Sequence, residues 1–329
     1  MPDLPLTLAC NGNDRTQALH DGTVRPTGID LTTLALDPEE LFWRTLRHRE
    51  FDVSELSMSS YLMTLEADEP PFVAIPVFPS RFFRHSCIYV NVDAGIDEPA
   101  DLVGKRMGVP EYQMTASLWV RGMLQDDYGV APADVHWFHG GQEDAGGREE
   151  KLDLSLPADL TLEAIPTGRT LSDLLVAGDL DALVTARTPS AFATDAVERL
   201  FPDYRRVERD YYERTGFFPI MHTVVLRRDV YEANPWAAQE LTKAFTAAKD
   251  RRLERIANTN ELPVALPWLV AEVEATRDLM GHDYWPYGVE ANRETLEAMT
   301  RYSHDQGLTS ERLAVGDLFA PNTYDRFAV

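Results

Sequence analysis

DLVGKRMGVPEYQMT, residues 101–115, reads as a turn and a short strand that runs into the opening of a helix. Val109 closes the strand, and the helix that opens at Glu111 to Thr115 carries on to about Gly129. A related unit lies downstream in LSDLLVAGDLDALV, residues 171–184: a helix, a turn at Gly178 and a strand ending at Val184. Residues 160–165 add a further strand, and 140–151, rich in Gly and charge, read as a surface loop. Upstream the same alternation appears. Residues 4–10 form an apolar strand ending in the polar turn Asn11 to Arg15, with a helix over 16–21. Residues 28–36 are a second strand. Asp37-Pro38-Glu39-Glu40 then reads as a helix start, with an N-cap aspartate, proline at N1 and acids in the first turn. Strands follow over 51–57, 72–78 and 87–91, the first leading into a helix that carries Tyr61, Leu62 and Leu65. Residues 220–226 form a strand that returns the chain to its first half, and 235–258, 266–280 and 292–306 are helical.

Alternating strands and helices predict an α/β protein with mixed, mainly parallel sheets covered on both faces. Two chain crossings, near 84–91 and 217–226, predict two lobes joined by a hinge. Lobe 1 takes residues 1–86 and 220–329, and lobe 2 takes 87–219. Ligands in such sheets bind where loops converge at the carboxyl ends of strands. That places the cleft near Cys10, Ser57, Val109 and Val184.

The 329 residues are 44% hydrophobic, enough to build a core, and no apolar run reaches the roughly 18–20 residues that span a bilayer. A net charge of −23 disfavours nucleic acid and anionic membranes as partners. The only lysines are Lys105, Lys151, Lys243 and Lys249. Cys10 and Cys87 make no disulfide framework and fit a reducing compartment. Met1 is followed by no basic and apolar leader, which argues for a cytoplasmic product. Glycine fingerprints of dinucleotide and P-loop sites are absent, as are the signatures of serine hydrolases and zinc proteases.

The chemical signal lies in polar residues that cluster where strands end. Asp14-Arg15 follows the first strand, as either a helix cap with a surface arginine or a substrate contact. Ser57 follows the third, as a helix cap or an anion ligand. Arg81, Arg84 and His85 stand before the first crossing, two arginines interleaved with aromatics where packing is expected. Arginine binds carboxylates in bidentate fashion, which gives Arg81 and Arg84 a second reading beside surface charge. Glu111, Tyr112 and Thr115 surround a helix N-terminus, where ordinary dipole complementation competes with an anion or phenol site. Arg187 follows the strand ending at Val184 and is the best single candidate for an anion clamp. His222 opens the returning strand, as a packed histidine or as a proton donor. The other six histidines lack metal-ligand spacing, so no metal site is expected.

Several strings bear a wider resemblance. DLVGKRMGVPEYQMTA and LSDLLVAGDLDALV are similar to the second lobe of type II periplasmic binding proteins. FDVSELSMSSYLM, VAIPVFPSRFFRHS, GVPEYQMTASLWVRGMLQDDYGV, TGFFPIMH and DYWPYGVEANRETLEAMTRYSHDQGL resemble the 4,5-dihydroxyphthalate decarboxylase family, and together they span nearly the whole chain. The resemblance implies a carboxy-lyase that turns 4,5-dihydroxyphthalate into protocatechuate and CO2, with a small aromatic dicarboxylate as its partner. Such chemistry needs an acceptor for the phenol, cations for the retained carboxylate and a proton donor for the ring carbon. On that reading Arg187 and Arg81 hold carboxylates, with Arg15 and Arg84 in reserve. His85 and His222 are the unordered candidates for proton donor and phenol partner, and Glu111 orients a histidine or accepts the phenol proton. Ser57, Tyr112 and Thr115 position the ring. No electron-sink cofactor is required, because the activated phenol is its own sink. A divalent metal chelated by the catechol stays open, as does assembly into a homo-oligomer. The rival readings are a solute-binding protein for an aromatic carboxylate in an uptake system and a ligand sensor, the latter disfavoured by charge.

Overall fold

The computed structural model describes residues 2–145 and 151–324. Part of the expected loop over 140–151, residues 146–150, therefore lies outside the described residues. Strands β1 (Leu4–Cys10), β2 (Ile29–Ala35), β3 (Val53–Ser57) and β4 (Phe72–Arg81) precede the first crossing. Helices α1 (Gln17–His20), α2 (Pro38–His48) and α3 (Met58–Thr64) connect them. The next segment holds β5 (Ile88–Asn91), β6 (Arg106–Val109), β7 (His136–His139), β8 (Leu162–Ala164), β9 (Ala182–Val184) and β10 (Val197–Arg199). It also carries α4 (Thr115–Tyr128), α5 (Leu171–Val176) and α6 (Tyr204–Thr215). Strand β11 (Ile220–Arg227) returns, and α7 (Arg228–Ala233), α8 (Trp236–Ile256), α9 (Leu269–Met280) and α10 (Arg293–Asp305) follow.

The strands form two sheets, one per lobe, in the orders β2-β1-β3-β11-β4 and β10-β5-β9-β6-β7-β8. Pairing within the βα units is parallel, as between β1 and β3 or β6 and β7. Each sheet also carries one antiparallel strand, and in each case it is the strand that follows a crossing. β11 runs against β3 and β4, and β5 runs against β9 and β10. A chain that leaves one lobe at the carboxyl end of its sheet enters the other from the same side, so its first strand there points the opposite way.

Local chemistry accounts for the elements around the cleft. Helix α2 begins where Asp37 is extended and Pro38 takes N1, with Glu39 and Glu40 facing the positive helix end. It buries Leu41, Phe42 and Thr45, and it stops at Arg49, whose φ of 49° is left-handed. Helix α4 is buried over its first ten residues and ends at Gly129 with φ 71°. Glycine is required inside it as well: a Cβ on Gly122 would sit 2.5 Å from the Tyr302 ring of α10. One apolar core runs through both lobes and includes Phe78, Trp119, Ile220 and Tyr302. A second packs α8 against the first sheet, and a third packs α5 against the second sheet.

Two strands and one sizeable helix lie where the sequence pattern marks none. These are β7, β10 and α6, and α6 buries only Tyr211. Among the described residues no helix is long and apolar enough to cross a membrane.

Candidate active site

A cavity of about 730 Å³ lies between the lobes. Ser57 at the end of β3 and Ser80 near the end of β4 line it from the first lobe, beside Met221 and His222 at the start of the antiparallel β11. Glu111 after β6 and Thr185 to Arg187 after β9 line it from the second. Strand ends and one reversed strand start thus meet, as ligand sites in α/β sheets do.

The lobes touch through hydroxyls. Ser57 Oγ lies 2.9 Å from Thr115 Oγ1, the first residue of α4. Ser60 Oγ donates to Ser57 Oγ at 3.1 Å, and Thr115 Oγ1 accepts the Ser59 N–H at 3.1 Å. Further out, Arg187 Nη2 meets Glu39 Oε1 at 2.8 Å, a pair in which both side chains are about half exposed. It ties the second lobe to α2 at the cleft mouth.

Three charged or titratable groups stand at or behind the cavity wall. His222 Nδ1 lies 2.6 Å from Glu55 Oε1, and Glu55 Oε2 accepts the Asn11 N–H at 2.8 Å. Glu55 is 1% exposed. Phe42 abuts the His222 ring edge-on at 4.9 Å between centroids. The second group is an ion pair in the opposite wall, where Lys151 Nζ donates to Glu111 Oε1 at 2.5 Å and Oε2 at 2.7 Å. Both side chains are buried. The third is Arg84, which is 8% exposed. Its Nε approaches Met221 Sδ at 3.1 Å and its Nη1 approaches Cys87 Sγ at 3.5 Å. Among the described residues no carboxylate lies within ion-pair distance of it. Glu208, whose charge it feels, accepts the Ser86 N–H at 3.3 Å instead, and burial pushes that carboxyl up to about 7.

Of the residues singled out from sequence, Ser57, Arg84, Glu111, Thr115, Arg187 and His222 line this cavity. The others do not. Arg81 is packed behind β4, donating to Phe218 O at 2.9 Å, Pro286 O at 2.7 Å and Asn292 Oδ1. His85 is 1% exposed against the Phe201 and Tyr211 rings, and burial followed by the Arg214 charge lowers its pKa to about 4. Tyr112 is buried under Arg121, whose guanidinium carbon is 3.6 Å from the ring centroid. Arg15 lies over Trp285 and donates to Pro79 O, and it pairs with Asp14 at 2.6 Å. Asp14 in turn accepts from Arg252 of α8, beside a shallower groove.

Glu55, behind the cavity wall, and Lys151, in it, are the groups that sequence reading passes over. A lone glutamate inside the apolar strand VSELS is a signal for the first. Lys151 follows a charge-rich run with no periodicity and gives none. Among the described residues no three His, Cys, Asp or Glu side chains group as a metal site would need.

No family model matches the chain. Among solved structures, the periplasmic aliphatic sulphonate binding protein SsuA from Escherichia coli aligns with a TM-score of 0.52 at 14% identity, covering 98% of this chain and 99% of that one. The alkanesulfonate-binding protein SsuA from Xanthomonas axonopodis pv. citri aligns with a TM-score of 0.51 at 15% identity, covering 97% and 99%. At such identities the likeness establishes the fold, a two-lobed type II periplasmic binding-protein architecture. The 4,5-dihydroxyphthalate decarboxylase of Comamonas testosteroni is 42% identical over 331 residues, which cover 100% of both chains. The enzyme of the same name from Pseudomonas putida is 44% identical over 219 residues, 66% of this chain and 84% of that one. On a full-length match at this identity, the chain belongs to the 4,5-dihydroxyphthalate decarboxylase family.

Proposed function

We propose that this chain is a carboxy-lyase that converts 4,5-dihydroxyphthalate to protocatechuate and CO2. The observation that carries the reading is Arg84, a buried guanidinium on the cleft wall whose neighbours are sulfur atoms, which are weak acceptors. Among the described residues no carboxylate pairs with it, and a substrate carboxylate is the partner that suits such a group. In this reading Arg84 holds the carboxylate that the product keeps, and Arg187 assists from the mouth.

Each ring hydroxyl of the substrate is para to one carboxylate. Glu111 takes the proton of the hydroxyl para to the departing group, and the Lys151 ammonium beside it stabilises the phenolate. Electron density then reaches the ring carbon that bears the departing carboxylate. His222, as imidazolium, gives that carbon a proton through Nε2. The carbon–carboxylate bond breaks, CO2 leaves, and the bonding pair restores the aromatic ring. Glu111 returns its proton to the phenolate, and His222 is reprotonated from solvent, so one proton is consumed per turnover. General acid and base groups contribute about 10²–10⁴-fold each. Ser57 and Thr115 orient the ring between the lobes, which we take as residues 1–86 with 220–329 and residues 87–219. The free, buried Cys10 and Cys87 support a cytoplasmic setting.

Purified protein incubated with 4,5-dihydroxyphthalate is expected to release CO2 and protocatechuate in equal amounts. Tight binding without turnover would mark a solute binder and overturn the proposal.

A further inference from the structure

We propose that Glu55 is the positioning residue of the proton donor: it holds His222 by Nδ1 so that Nε2 faces the bound ring. The inference rests on the decarboxylase reading and adds to it a residue outside the cleft wall.

Sheet register builds the pair. Val224 of β11 stands opposite Glu55 of β3, and His222 stands opposite Ser57. Residues two apart in a strand share a face, so Glu55 and His222 are diagonal neighbours on one side of the sheet. Their separation of 2.6 Å is that of a charge-assisted hydrogen bond. The second Glu55 oxygen is held by the Asn11 N–H, so the carboxylate has a fixed orientation. Phe42 packs the imidazole edge-on and fixes the ring plane. With Nδ1 occupied on the buried side, Nε2 is the nitrogen left for the cavity that His222 lines.

Stability does not explain a glutamate here. β3 is buried over its whole length, and a carboxylate there loses its hydration. An apolar side chain would fill the position at lower cost. What the carboxylate supplies is a histidine held by Nδ1 in one tautomer, with Nε2 turned to the cavity.

The test is a double-mutant cycle on the full chain. Glu55→Gln keeps the shape and an acceptor for the Asn11 N–H, but it removes the charge. It is expected to lower kcat about 100-fold, with KM within about threefold of wild type. In a His222→Ala background the same change is expected to cost less than about twofold, because the histidine it acts through is gone. Nitrogen-15 spectra of the histidines, recorded without substrate, are expected to show the Nδ1-protonated form of His222 depleted in Glu55→Gln. Equal losses from Glu55→Gln in both backgrounds would make Glu55 a structural residue and overturn the inference. An unchanged kcat with an unchanged His222 spectrum would overturn it as well. A wild-type protein that releases no CO2 refutes the decarboxylase reading separately, and the spectra still decide whether Glu55 sets the histidine's tautomer.

Discussion

Replacing Arg84 with methionine separates a binding cation from a structural one. An arginine retained for stability is normally paired, and removing it leaves its partner stranded at a cost of 3–5 kcal/mol, in order of magnitude. Among the described residues Arg84 has no carboxylate at ion-pair distance to strand. Its contacts are two sulfur atoms and the Phe82 ring, 4.6 Å from the guanidinium carbon. Burying the cation costs several kcal/mol, which these contacts repay only in part. Methionine is of similar length and packs against Met221. The melting temperature of the ligand-free protein is therefore expected to hold or rise. Affinity moves the other way. Truncating one partner of a buried, hydrogen-bonded charge pair costs about 2–5 kcal/mol. Taking about 2–4 kcal/mol, at 1.4 kcal/mol per tenfold, KM is expected to rise about 30- to 700-fold. Protocatechuate, which keeps the carboxylate assigned to Arg84, is expected to weaken as an inhibitor by a similar factor. Catechol, which has no carboxylate, is expected to change by less than about twofold. Steady-state CO2 release, product inhibition and thermal melts supply the readings. An unchanged KM, or a clear fall in melting temperature with equal losses for protocatechuate and catechol, refutes the assignment.

Glu208 gives a pH dependence of stability. Burial raises its folded-state pKa to about 7 from the ordinary 4.5, so the folded chain holds this proton more tightly than the unfolded chain. The stabilisation it brings is complete below about 4.5 and is lost as pH rises through about 7. His85, lowered to about 4, titrates in the opposite sense and only below about 6.5. Between about pH 6.5 and 8 the melting temperature is therefore expected to fall in wild type and to flatten in Glu208→Gln; parallel curves would refute the assignment. Arg187 and Glu39 form an exposed pair of little worth to stability, so Arg187→Ala is expected to leave the melt within about 1 kcal/mol of wild type while raising KM. Unchanged kcat and KM would remove Arg187 from the site. Because the activated phenol is its own electron sink, dialysis against EDTA is expected to leave the rate of CO2 release unchanged. A loss restored by a divalent cation would assign a metal to the catechol.

What the sequence makes legible follows what each element owes to its own residues. β1, α2 and α4 are marked by local apolar pattern and start signals, and each lies within a few residues of its expected span. Helix α6 owes its place to Tyr211 packing on His85 and to charges that suit any solvated surface, so its pattern is faint. The cleft is legible because strand ends are. The histidines are not, since His85 and His222 stand in similar apolar surroundings in the chain. Tertiary contacts separate them: β11 carries His222 to Glu55, and α6 covers His85. Arg81 and Arg84 differ in the same way. The carbonyls that occupy Arg81 come from residues more than a hundred positions away, which no local pattern encodes.

The distribution of charge around the cavity bears on how a binding-protein scaffold performs a decarboxylation. A pocket built only to capture a diacid gains by giving each carboxylate a cation. A decarboxylase loses by it, because a cation on the departing carboxylate stabilises the substrate and not the transition state, in which that negative charge drains into the ring. Among the described residues the cavity has one buried guanidinium, Arg84, and one buried ammonium, Lys151, which Glu111 engages. Around His222 the cavity is lined by Phe42 and Met221 together with Ser57 and Ser80, its partners across the sheet, and Met114 and Ala116 of the second lobe line it as well. If the retained carboxylate takes Arg84, its neighbour on the ring is left with the hydroxyl and apolar side chains around His222, a setting less solvating for a carboxylate than water and of little consequence for neutral CO2. On the proposed roles, the same placement puts His222 beside the carbon that loses its carboxylate. Binding energy at one carboxylate is thereby spent at the other, and adding a second cation to the wall, as in Met114→Lys, should tighten the substrate while slowing its turnover.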